Sequence, residues 1–119
     1  MPLNQVGSAI AVAANGVNTP LTVTLAAQAG LWTVVTGFDI TISGGTNNVT
    51  ASLTGVAGGG TLSYTVPATA SQGSISPEFA KPLVASAMST AIALSVPALG
   101  AGNNGVAISI RGFYSTTPW

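Results

Sequence analysis

Charge is what this sequence lacks most. Its 119 residues include four charged side chains, Asp39, Glu78, Lys81 and Arg111, or 3% of the chain, where a soluble domain typically carries about 25%. Asp39, within "TVVTGFDITISGG", is the only one among the first 77 residues. Two basic residues cannot build the patch that phosphate neutralisation needs, so nucleic acid is not an expected partner. An anionic membrane surface is disfavoured for the same reason. Net charge is zero, a condition that promotes association. Such a chain either resists aggregation by another device or associates as part of its work.

Cysteine and histidine are both absent. Disulfides and thiolate or imidazole metal ligation are therefore excluded, and the redox compartment is not readable. Without histidine, and with a single lysine, nothing is expected to activate a serine or threonine as a nucleophile. Asp39 and Glu78 are the only carboxylate side chains. Paired-carboxylate hydrolysis needs two acids about 5–9.5 Å apart, but each is expected to pair with a base instead, Asp39 with Arg111 and Glu78 with Lys81. Neither catalysis nor a cofactor or metal is expected. "GVAGGG" (55–60) has the glycines of a phosphate loop without its lysine or following helix, and reads as a hairpin loop. Asn48-Val49-Thr50 matches a glycosylation sequon by chance.

Long hydrophobic runs are missing too. The longest, "PLVASAMSTAIALSV" (82–96), carries four hydroxyls and falls short of the ~20 residues that span a bilayer. "MPLNQVGSAI" has no basic start, so a signal peptide is not expected. Yet 47% of the residues are hydrophobic, too many for a disordered chain. The length fits one domain, 1–119.

What is present is alternation with a period of two, the mark of strands with one buried face. In 32–43 the even positions are Trp32, Val34, Thr36, Phe38, Ile40 and Ile42, and they are expected to face a core. The odd ones, Asp39 among them, face away. The pattern recurs around Val23, Leu53, Tyr64, Leu94 and Ile108, and more weakly through Val6, Ile10 and Val12. Gly- and Asn-rich turns separate these segments. Seven or eight short strands follow, with 75–84 as an irregular one, and "PEFAKPLVASAMSTA" (77–91) is the one segment where a helix fits. The fold class is all-β, an antiparallel β-sandwich or jelly roll. The first 19 residues read as a first strand or as an arm reaching a neighbour.

The outward positions carry Thr, Ser, Ala and Gly in place of Lys and Glu. Such a surface loses little hydration on burial, and interfaces are depleted in Lys and Glu. Much of the surface is therefore expected to meet other protein. The segment around Leu3, Val6 and Ile10, the loop at Phe79, Phe113 with its outward parity, and the terminal Trp119 are the candidate contacts.

"GLWTVVTGFDITISGG", "GGTLSYTVP", "PEFAKPL" and "TAIALSVPALGAGNNGVAISIRGFY" together resemble small β-sandwich virion proteins of tailed bacteriophages, over about residues 30–114. The resemblance implies a jelly-roll subunit, commonly trimeric, that decorates and cements a capsid. Its partners would be the major capsid protein and further copies of itself. It would be made in the bacterial cytoplasm and located in the phage head. The alternative is a head-fibre or tail-tip module that binds a host receptor or glycan through the Asn-bearing loops "GGTNN" and "GAGNNG".

Overall fold

The computed structural model describes residues 5–46, 48–58, 60–66 and 72–118. Leu3 and Trp119 lie outside them. The described chain forms a β-sandwich of nine strands, all paired antiparallel. They are β1 (Gln5–Gly16), β2 (Leu21–Leu25), β3 (Trp32–Ser43), β4 (Val49–Thr54), β5 (Leu62–Val66), β6 (Gln72–Ile75), β7 (Glu78–Val84), β8 (Ile92–Val96) and β9 (Gly105–Ser115). One sheet runs β1-β9-β3, with β6 and β7 both on the far side of β3; the other runs β2-β8-β4-β5. The chain crosses between the sheets at nearly every connection, which is how short alternating strands bury one face each.

The core between the sheets is built from the alternating positions. Leu21, Val23 and Leu25 of β2, Ala51 and Leu53 of β4, Ile92, Leu94 and Val96 of β8 and Val106, Ile108 and Ile110 of β9 are all buried there. Phe38 sits at the centre, edge-on to Tyr64 at 5.0 Å between ring centroids and tilted against Phe79 at 6.3 Å. Burial of one such ring is worth about 1.5–3 kcal/mol.

Three expectations are corrected. The even-position rule holds only in the second half of β3. Val35 pairs with Gly112 and Gly37 with Arg111, so Thr36 is an extra residue, a β-bulge. The bulge reverses the parity: Val35 shares the core with Phe38, whereas Trp32 and Val34 form a second cluster with Val84 and Phe113. Val34 lies opposite Val84 on one side and Phe113 on the other, an apolar row across the outer face of the five-stranded sheet. Second, 77–91 holds no helix. Its first half is β7, whose pairing with β3 answers backbone groups that a helix would leave open. Third, 72–84 supplies two strands instead of one irregular strand. The first 19 residues contain β1, which pairs with β9 of its own chain from Gln5 to Gly16.

Candidate functional site

All four charged side chains lie on the five-stranded sheet: Asp39 on β3, Glu78 and Lys81 on β7, Arg111 on β9. Three of them meet. Arg111 donates from Nη1 to Asp39 Oδ2 at 2.5 Å and from Nη2 to Glu78 Oε1 at 2.8 Å. Ser109 Oγ donates to the same oxygen of Asp39 at 3.2 Å. Glu78 therefore pairs with Arg111 and not with Lys81, its expected partner: β7 docks beside β3 with Glu78 opposite Gly37, within reach of the guanidinium.

Two glycines make room for this cluster and for the bulge beneath it. A Cβ on Gly37 would stand 2.8 Å from the carbonyl oxygen of Pro77 and 3.0 Å from Arg111 Nη2. A Cβ on Gly112 would collide with the carbonyl oxygen of Val34. The Thr36 hydroxyl completes the bulge by donating to the Arg111 carbonyl at 3.2 Å.

Burial disfavours the charged form of Asp39, but the Ser76 hydroxyl, the charge of Arg111 and the Ser109 hydroxyl outweigh it, and its pKa falls below the ordinary 3.8. The hydrogen bond to Glu78, opposed by burial and aided by Asp39, raises Arg111 further above its ordinary value. A lowered carboxylate pKa is the opposite of what proton donation near neutrality needs. The arrangement can tie β9, β3 and β7 together. Among the described residues no group of three His, Cys, Asp or Glu side chains could hold a metal ion. No helix among them is long and apolar enough to cross a membrane.

A second polar constellation joins three loops. Asn103 is buried, and its Nδ2 donates to the carbonyls of Ser43, Gly44 and Gly105 at 3.2, 3.0 and 3.1 Å. Its Oδ1 accepts from the Asn18 amide at 2.8 Å, and Asn18 Oδ1 in turn accepts from the Gly100 amide at 2.9 Å. Beside this knot an open cleft of about 380 Å³ runs over β1, β9 and β3, lined in part by Asn15, Thr41, Ser43 and Asn104.

The candidate contact residues are scattered. Val6 is exposed on β1, while Ile10 is half-buried against the core. Phe79 is half-buried against Phe38. Phe113 points outward by parity, but its own chain covers it in the second cluster, leaving 5% exposed. An apolar row on the outer face of one sheet was not readable from alternation alone. Its signal in the sequence is a glycine inside each of two strands, "TGF" and "RGF", since a lone glycine within a strand marks a bulge or a close backbone approach.

The remaining surface is neutral. On the four-stranded sheet Thr22, Ser95, Ser52 and Ser63 are successive cross-strand partners. They form a row of hydroxyls across all four strands, in which Thr22 Oγ1 and Ser95 Oγ lie 3.0 Å apart. Comparisons of the chain with family models, with curated proteins and with solved structures return no match, to virion proteins or to any others.

Proposed function

We propose that the chain is a structural virion subunit of the capsid-decoration type, laid with its charge-free sheet against a shell protein or a sibling copy. One observation carries this reading. Charge is confined to the five-stranded sheet, and the outer face of the other sheet presents hydroxyls and methyls alone. Covering Thr, Ser and Ala removes little bound water, and interface cores are depleted in charge. A subunit that bridges its neighbours needs no chemistry: it adds buried area, and mass action stabilises the occupied shell. A standard specific contact buries about 1,600 Å² in total. The resemblance of the strand and loop sequences to phage decoration proteins supports the same reading.

Cosedimentation of the purified chain with phage heads tests it. Wild type is expected in the pellet with the shells, and Thr54→Lys, which puts a cation on the four-stranded sheet, in the supernatant. Equal recovery of both would remove the charge-free sheet as the contact.

A second reading, a tail-tip or fibre module for a host glycan, is favoured by the cleft beside Asn104, whose neutral amides and hydroxyls suit a sugar. A glycan array separates the two: a decoration subunit leaves it blank.

A further inference from the structure

The edge of a sheet offers a row of backbone donors and acceptors that only another extended chain can answer. Proteins blunt such edges with charge, proline or shortness. Here β7 carries Glu78, Lys81 and Pro82, β6 is four residues long, and β2 and β5 have five each. By contrast, β1 has twelve residues, QVGSAIAVAANG, with neither charge nor proline. It ends its sheet, with β9 its one strand partner among the described residues.

Two further observations fall on the same strand. Gly7 has a φ of +74° and the register shifts between Val6 and Ile10, so the strand is irregular there. From Ile10 to Gly16 it pairs with β9 without a break, leaving a regular stretch of open edge. The large apolar side chains exposed among the described residues are Val6, Val12, Val17, Leu62 and Met88. Three of these five lie on β1 or directly after it. Val12 is opposite the buried Ile110, so it belongs to the core-facing row, yet it stays 37% exposed because nothing closes the sandwich beyond β1.

We propose that the Ile10–Gly16 edge pairs antiparallel with the same edge of a second copy, joining two five-stranded sheets across a two-fold axis. The occupant follows from the other edges. Head-to-tail pairing would need a second unblunted edge, and none of the other edge strands offers one. Pairing of β1 with itself is isologous and places no like charges together, because the strand has none. It also covers Val12. The contact is separate from the four-stranded sheet face, so it goes beyond the decoration reading and can fail without it. A two-fold pair differs from the trimer that the phage resemblance implies, and mass decides between them.

The test is light scattering across dilution, with sedimentation equilibrium as a check. Wild type is expected at twice the 11.6 kDa chain mass. Val12→Lys is expected to halve the measured mass while circular dichroism and Tm stay as in wild type. Thr54→Lys should keep the doubled mass, even where it abolishes shell binding. A wild-type monomer at every concentration, a trimer, or a Val12→Lys protein of unchanged mass overturns the proposal. Should Val12→Lys fail to fold, amide exchange on wild type decides. Protection within 10–16 must rise with concentration, and concentration-independent exchange there refutes the pairing.

Discussion

Arg111 lies directly opposite Gly37, and its guanidinium passes over that glycine to reach Glu78 on the next strand. The absence of one side chain lets a cation on β9 hold carboxylates on β3 and β7 at once. Gly37→Ala is therefore expected to cost about 1–3 kcal/mol, as overpacking does, because its Cβ meets the Pro77 carbonyl as well as the movable guanidinium. Arg111→Met, which removes only exposed ion pairs, should cost about 1 kcal/mol or less. Urea unfolding of both variants checks the order; a harmless Gly37→Ala would mean that the β6–β7 turn simply moves aside.

Acid should find Asp39 first. Its folded pKa is lowered, so the unfolded chain takes up the proton at higher pH than the folded one. The stability it contributes is complete above about pH 4, near the unfolded value, and is lost as pH falls through the folded pKa. Asp39→Asn is expected to flatten that part of the stability curve, measured as Tm between pH 5 and 2. A variant curve parallel to wild type would assign the acid response to another group.

Asn103 is the tightest polar knot of the fold. Asn103→Ala strands the buried carbonyls and the Asn18 amide it serves, and is expected to destabilise by on the order of 3 kcal/mol. Asn103→Asp should be worse at neutral pH, because a carboxylate cannot donate to the carbonyls of Ser43, Gly44 and Gly105. Thermal unfolding ranks the two, and an Asp variant as stable as wild type would contradict the hydrogen-bond assignment.

Phe113 separates an intrachain role from an interface role. Packed on Val34 and Val84, it should cost about 3–5 kcal/mol when cut to alanine. The loss is expected in dilute chain, free of partners. Unchanged stability there would return Phe113 to the list of contact residues.

Alternation made most strands legible before any coordinates, because side chains that face a shared core must repeat every second residue. It failed where one residue was inserted. Thr36 looks like any other strand threonine, and nothing local announces that Val34 and Val35 serve different sides of the same sheet. The segment from Glu78 to Val84 was ambiguous for another reason. Its strand state comes from β3, forty residues away in the chain, whose free edge selects an extended partner over a helix. Of the ionic cluster, parity placed Asp39 and Arg111 on one face, whereas Glu78 entered through the long-range docking of β7. The cleft beside Asn104 and the Asn103 knot depend on three loops converging, which no stretch of sequence records.

Keeping every charge on one sheet also decides which solution conditions matter. Salt weakens an assembly by screening its ion pairs over a Debye length of about 8–10 Å, and a contact made by β1 or by the four-stranded sheet has none to screen. Its strength comes from water released by methyls and paired backbone. Sulfate, which is excluded from such surfaces, tightens it, and cooling, which weakens apolar burial, loosens it. Concentrated sodium chloride, the usual means of taking a protein off its partner, leaves this one in place, and an ice bath is the condition that releases it.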